Sequence, residues 1–469
     1  MSCKNENTGF ATSSVLGKVF GYGVGVYLEG DTTLLPTDVA KLTAASPDLN
    51  FKQGTVTGDG IVGLYLKGNT DISAYTKTIT VGNTVGTNSA IGIYSDAQGV
   101  SGTPYVIKAN ITTGKKAVGI FSAPDKTTPV VANKSYIKYL GSQMNLGEGS
   151  TGFYVNGKTE LDTTTTTTPT TTINLDGGLV AYVTKNSEFV GGNSKVNLSN
   201  PGIGVYGERG AKVDVGSWTF NNNGNAAEEI RLKEGIAKVT TPKSLKPKMV
   251  LTHVINGETY LTSTVTAVAD AGHTQEENIG LMAQGIKNTK VGITWDKGND
   301  YEIINEGTID FTTSNKSTAI YAESARVKNA GTIKLGESST GIYGVYRDDS
   351  PKFEDAGGTK YPNKLEIDTT ATSSISLKKG STGMYLVNAE KLNTAAGGTI
   401  QSVTGATNNV GIYAINGKID VPATGTKDEK DEANAYNSQG KNFNSLTMTN
   451  KSNITLGNGS VGIYTRGQS

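Results

Sequence analysis

The stretch IKLGESSTGIY, Ile333–Tyr343, decides how this chain is read. It runs apolar, polar, apolar, then through a Gly-containing turn into Thr-Gly-Ile-Tyr. Its last four residues form a phrase of a β-branched residue, Gly or Ala, a large apolar residue and an aromatic ring. That phrase occurs eleven times, at Val24–Tyr27, Val62–Tyr65, Ile91–Tyr94, Val118–Phe121, Thr151–Tyr154, Ile203–Tyr206, Thr318–Tyr321, Thr340–Tyr343, Thr382–Tyr385, Val410–Tyr413 and Val461–Tyr464. MNLGEGSTGFY (Met144–Tyr154), VNLSNPGIGVY (Val196–Tyr206), ISLKKGSTGMY (Ile375–Tyr385) and ITLGNGSVGIY (Ile454–Tyr464) repeat the whole lead-in. Upstream of it, EIINEGTIDF (Glu302–Phe311) and VKNAGTIKL (Val327–Leu335) share Asn–x–Gly–x–Ile.

The phrase is rich in Val, Ile, Thr and Tyr and alternates with period 2, which favours strands over helices. A unit of about 20 residues built from short strands and Gly/Asn turns cannot bury its apolar face alone and must stack on its neighbours. The expected fold is all-β: a right-handed parallel β-helix, or β-solenoid, with loop or sub-domain insertions, its handedness following the rule for parallel crossovers. The alternation predicts that the first and third phrase positions point inward, as for Ile320, Ile342 and Ile412, and the second and fourth outward. The aromatic residues then form an external ladder, with the neighbouring glycine shielded by the ring.

Composition agrees. The 469 residues include 60 Gly, only 18% are charged, and the net charge is +1. Ordinary globular chains carry about 25% charged residues and about 7% Gly. A balanced charge offers no basic surface for nucleic acid or for an anionic membrane. The single cysteine, Cys3, excludes an internal disulfide framework and a cysteine zinc site. MSCKNENTGF has no apolar signal core, and no run of about 18 apolar residues exists, so neither an export signal nor a membrane-spanning helix is expected in this stretch.

The clean phrase disappears between Tyr206 and Tyr321, leaving NIGLMAQG (Asn278–Gly285) as a worn copy. There NAAEEIRLKEGIAK (Asn225–Lys238) has a helix-forming composition, and VLTHVINGETYLTSTVTAV reads as a hairpin about Asn256-Gly257. The expected organisation is rungs with short insertions over 1–219, an irregular insertion or sub-domain over 220–278, and rungs with loop insertions over 279–469. Smaller insertions are expected at Ser122–Tyr139, in the Thr tract Thr163–Thr172, at Val345–Leu365 and at Val421–Phe443, the last holding the solvated run KDEKDE (Lys427–Glu432).

Catalytic signatures are weak. GFYVNGKT (Gly152–Thr159) matches a phosphate-binding loop, yet the β-branched residues that follow, and Pro169, oppose the helix such a loop requires. GIYAINGKID (Gly411–Asp420) repeats the same words, which marks the match as one copy of the repeat. Asp348 and Asp349 are adjacent and would diverge in a strand. His253 and His273, the only histidines, lack a third zinc ligand. No Gly–x–Ser–x–Gly elbow occurs, and Cys3 has no nearby histidine. No catalytic residue, metal site or cofactor is expected.

The repeated STGIY, VGIYA and Asn–x–Gly–x–Ile phrases, on a cysteine-poor chain rich in Thr, Asn and Gly, resemble the passenger domains of the very large (type V) autotransporter adhesins of fusobacteria. The resemblance covers most of the chain. It implies a non-catalytic segment of a longer bacterial cell-surface protein, carried at the outer membrane by a C-terminal barrel this chain lacks. Its implied partners are a host-cell receptor with an immunoglobulin-like ectodomain, a galactose-type glycan, or other bacteria. Two alternatives stand beside it: a β-helical polysaccharide lyase or hydrolase, and a structural stalk. Binding is expected in the insertions, because aromatic and arginine side chains on supported loops dominate recognition. YRDDSPKFEDAGGTKYPNK (Tyr346–Lys364) offers Tyr346, Arg347, Phe353 and Tyr361, and SAPDKTTPVVANKSYIKY (Ser122–Tyr139) offers Tyr136 and Tyr139.

Overall fold

A computed structural model of the chain describes residues 2–4, 23–30, 40–51, 60–68, 70–96, 103–123, 135–163, 169–268, 272, 276–289, 292–355, 357–417 and 446–467. His273, Lys427–Glu432 and the segment Val421–Phe443 lie outside them. The described residues are all-β, with no helix among them. Two compact units divide the chain, residues 1–227 and 228–469.

Each unit is a parallel β-solenoid with three strands per turn. In the first, one turn is Thr151–Val155, Gly157–Leu161 and Thr171–Asp176. Its three strands pair in parallel with Leu179–Val183, Glu188–Val190 and Ser194–Asn200 of the next turn. In the second unit Thr340–Val345, Glu366–Thr369 and Ser374–Leu377 pair likewise with Thr382–Val387, Lys391–Thr394 and Thr399–Ser402. The interior is three columns of aliphatic side chains. Ile342, Ile367 and Ile375 are all fully buried, and equivalent residues stack directly above and below, for example Ile320↔Ile342↔Met384↔Ile412.

Each word of the repeated phrase has a separate physical cause. The serine before it lines one corner. Ser317 N donates to Ser339 Oγ (3.1 Å), Ser339 N to Ser381 Oγ (3.2 Å), Ser381 N to Asn409 Oδ1 (2.9 Å) and Asn409 N to Ser460 Oγ (3.0 Å). These side chains satisfy backbone donors that the bend removes from the sheet ladder. The Asn of Asn–x–Gly–x–Ile lines another corner. Asn305 Nδ2 donates to Asn329 Oδ1 at 2.7 Å, with both side chains fully buried.

The glycine's role differs from the one alternation suggested. In Thr340–Val345 it is Thr340 and Tyr343 that are half-exposed, while Gly341 and Ile342 are both buried. A Cβ on Gly341 would sit 2.5 Å from the Gly383 carbonyl oxygen above it and 3.1 Å from Ile375 Cγ2. Close stacking of backbones, not shielding by the ring, therefore selects glycine, and burial does not alternate strictly: Gly341 and Ile342 are buried together, as are Gly344 and Val345. The rings do stack on the outside. Neighbouring centroids from Tyr27 through Tyr65, Tyr94, Phe121, Tyr154 and Tyr182 to Tyr206 are 4.5–5.7 Å apart. Those from Tyr321 through Tyr343, Tyr385 and Tyr413 to Tyr464 are 4.8–5.3 Å apart.

Where the sequence suggests an irregular insertion or sub-domain, the described residues between 220 and 278 form further strands in the parallel sheets. Ala227–Lys233, within the stretch of helix-forming composition, is a strand, followed by Ile236–Val239 and Lys243–Leu245. Asn256-Gly257 makes no hairpin. Met249–Ile255 pairs with Ile279–Gln284 and Glu258–Leu261 pairs with Ile303–Asn305, both in parallel, so the two strands flanking the turn belong to different sheets. Tertiary pairing overrides local propensity here. Glu229, one residue before Ile230 and so where the phrase has Gly, is buried with Lys243 at 2.6 Å. Arg231, His253 and Met282 take the place of the ring, with His253↔Met282↔Tyr321 in register.

Candidate functional site

Inside each stack the Tyr column offers no open aromatic platform, because rings above and below cover both faces; among the described residues Tyr206 and Tyr321, at the break, have a stacked ring on one side only. What it presents is hydroxyls. Tyr27 OH donates to Glu29 at 3.1 Å, Tyr65 OH to Asp96 at 3.2 Å, and Tyr182 OH to Glu208. In the second unit the position two residues past the ring turns apolar: Val345, Val387 and Ile415 are buried and pack with Tyr321, Tyr343, Tyr385 and Tyr413.

Beside this apolar stripe the insertion after Val345 folds back on the solenoid. Three successive turns with left-handed residues, Asn256 (φ 51°), Gly285 (φ 70°) and Ser324 (φ 52°), receive it. Asn256 Nδ2 donates to the Pro351 carbonyl at 3.0 Å. A side chain at Gly285 would collide with that same carbonyl. Arg347 N donates to Ser324 Oγ at 2.8 Å, and Ser350 Oγ to Glu323 Oε1 at 2.8 Å. Asn363 closes the base, its Nδ2 donating to the Ser350 carbonyl at 3.1 Å.

The tip is a small antiparallel loop bridged at Glu354 and Lys360. Asp355 accepts from Gly357 N (3.0 Å), Thr359 N (2.9 Å) and Tyr361 OH (3.0 Å). These bonds, the Thr359 amide foremost, hold its carboxyl below the usual range.

The six residues expected to bind a partner divide. Tyr346 and Phe353 are buried at 8% and 2% exposure. They act as anchors of the insertion, not free contacts. Burial, with the Asp348 carboxylate beside it, pushes the Tyr346 phenol up to about 12. Tyr139 is also a correction: it points into the core, meets Phe153 edge-on at 5.3 Å and donates to the Gln143 carbonyl at 3.1 Å. Arg347 and Tyr361 are half-exposed, and Tyr361 lies flat on Phe353 at 4.4 Å. Tyr136 is half-exposed on a strand, Ser135–Tyr139, not on a loop. It donates to Glu160 at 2.8 Å under the Lys158 ammonium, 5.0 Å above the ring. Lys158 is thus committed to Tyr136, Glu160 and Glu188, and its glycine-rich phrase is two strands joined by a corner, with no helix to face a phosphate.

Sequence reasoning missed two features of the second unit. One is the segment between Gln284 and Ile303. Trp295, with Ile293 and Tyr301 partly buried beside it, packs on Ile236, Tyr260 and Ile304. Lys287, fully buried, donates to Glu258 at 2.8 Å. The other is an open cleft of about 350 Å³ lined by Glu366, Glu390, Lys391, Leu392, Asn393, Thr447 and Thr449. Chiefly through burial, and with Glu366 nearby, the Glu390 carboxyl is held above its ordinary range. The conspicuous Trp295 was the only sequence signal for the first. Nothing local marks the cleft, whose lining comes from three turns.

No protein-family model, no curated protein and no solved structure matches the chain.

Proposed function

We propose that this chain is a non-catalytic adhesin segment of a bacterial cell surface, a solenoid that presents the 346–363 insertion to a host-cell receptor or glycan. The observation that carries this reading is the rigid anchoring of that insertion. Buried Tyr346 and Phe353 and hydrogen bonds to the turns at Asn256, Ile286 and Ser324 hold it, while Asp349, Lys352, Glu354, Thr359 and Lys360 remain exposed and Arg347 and Tyr361 half-exposed. A loop ordered before binding loses little entropy on docking, which favours recognition by a few exposed side chains. The resemblance to adhesin passengers supports the same reading and supplies the class of partner. Replacing Lys352, Lys360 and Tyr361 together by Ala is expected to leave the solenoid's melt cooperative, at a cost of about 1–2 kcal/mol from the lost Tyr361–Phe353 stack. It should weaken attachment to host cells by about tenfold or more. Full attachment by the folded triple variant would move the binding surface elsewhere.

A carbohydrate-active cleft is the second reading, favoured by Glu390 and Glu366 on one cleft with the Glu390 carboxyl raised. A raised acid beside a second carboxylate is the pairing that glycoside cleavage uses. On this reading Glu390→Gln lowers polysaccharide turnover by about 100-fold or more. A panel of polysaccharides left uncleaved by the unaltered chain rejects it.

A further inference from the structure

Where the Tyr column breaks, His253 is almost completely buried, at 5% exposure, and both ring nitrogens face acceptors. Nδ1 lies 3.1 Å from Glu228 Oε1 and Nε2 lies 2.9 Å from Gln284 Oε1. Gln284 cannot turn its amide at no cost, because its Nε2 donates to Glu323 Oε2 at 3.2 Å. Glu323 in turn accepts from Ser350 Oγ of the insertion at 2.8 Å. A neutral imidazole carries one N–H and one lone pair, so it can satisfy only one of two facing oxygens, whereas the imidazolium donates to both.

We infer that His253 is a protonation-controlled latch for the 346–363 insertion. As imidazolium it bonds Glu228 and Gln284, which orients the Gln284 amide toward Glu323 and leaves the other Glu323 oxygen to hold Ser350. On losing its proton it keeps one contact. If Gln284 rotates to restore the second, its amide oxygen meets the Glu323 carboxylate and the hold on Ser350 weakens. Charged groups face this junction from several elements. From the strand Ala227–Lys233 come the Glu228 carboxylate and Arg231, 3.7 Å from it, with Lys233 exposed at the strand end. The strand Ile279–Gln284 contributes only the amide. Glu323 lies beyond it, and Arg347 is close enough to act on the Tyr321 and Tyr343 hydroxyls. The latch concerns anchoring and stands whatever the insertion binds.

Hydrogen exchange of segment 346–363, corrected for intrinsic rates and read at about pH 5.5 and about pH 8, tests this on the full chain. Protection in the parent is expected to fall by about tenfold at the higher pH, the scale of one charge-assisted hydrogen bond. His253→Gln and Glu323→Gln should lose that pH dependence. Equal protection at both pH values, or the same pH dependence in folded His253→Gln, overturns the proposal. Should those variants fail to fold, imidazole nitrogen resonances of the parent, assigned with His273→Asn, decide: two protonated nitrogens on His253 at the lower pH support the latch, and one overturns it.

Discussion

Ile342→Asp is expected to abolish the cooperative melt of the second unit. Ile342 is fully buried between Ile320 and Met384 in an inner column of apolar side chains. A carboxylate there has no partner, and the change also removes an isoleucine's worth of burial, so the cost exceeds about 4 kcal/mol. A solenoid's stability is a sum of rung and interface terms, so a defect in a middle rung weakens the interfaces on both sides of it. The adjacent Tyr343→Ser is a control on which face each residue occupies. It removes two ring contacts, at 5.3 Å on either side, from a half-exposed site, and should cost about 2–3 kcal/mol. Thermal melts of the two variants by circular dichroism check both expectations. A Tyr343 variant less stable than the Ile342 variant would reverse the assignment of faces.

The second large effect is expected at Lys287. Its ammonium is fully buried on Glu258, also fully buried, and lies 5.5 Å from the centre of the Trp295 ring. The Lys297 amide gives Glu258 a further bond at 3.0 Å. Glu302 accepts the Lys287 amide at 2.9 Å and is itself held by the Arg326 guanidinium. Lys287→Met strands a buried carboxylate and should cost about 3–5 kcal/mol, whereas Lys287→Met with Glu258→Leu should recover most of that loss.

The pH dependence has a definite sign. Burial already raises the Glu258 carboxyl despite the opposing pull of Lys287, and removing the ammonium raises it further. A carboxyl raised in the folded state favours folding below its unfolded value and loses that contribution as pH rises through the folded value. Lys287→Met should therefore be least stable at neutral pH and regain stability on acidification toward the ordinary carboxylate range, while the double variant shows no such gain. Denaturant melts at several pH values, followed by Trp fluorescence, check this. A single variant whose deficit is the same at every pH would place the lost stability outside Glu258.

How much was legible in the sequence follows from how each residue finds its partners. Where a turn repeats the words of its neighbours, like stacks on like, and the repeat alone specifies the contacts. The eleven phrases therefore identified the aromatic stack and the burial of Ile320, Ile342 and Ile412, whereas the corner role of the Asn–x–Gly–x–Ile asparagines emerged only from their pairing across turns. Across the described residues of 220–278 the words change but the parallel strand order continues. Glu229 finds Lys243, and Arg231, His253 and Met282 take the place of the ring. A composition that favours a helix at Ala227–Lys233 is held as a strand by parallel pairing. Local propensity could not reveal this, because the partners lie a full turn away in the chain.

The insertion shows the same limit. Its aromatic residues were visible, but whether a ring anchors or recognises depends on what lies beneath it. Tyr346, Phe353 and Tyr139 are buried, Tyr139 against Phe153 of the next turn and Phe353 beneath Tyr361, whereas Arg347, Tyr361 and Tyr136 keep a face to solvent. The repeats were enough to specify a parallel solenoid, its inner aliphatic column and its outer aromatic stack, since residue type acts within one turn; they misplaced the phrase glycine, which is buried. Only the tertiary structure decided which insertions fold down, which charges are buried in pairs and which surfaces stay open, because those outcomes rest on desolvation and hydrogen bonding between residues tens of positions apart.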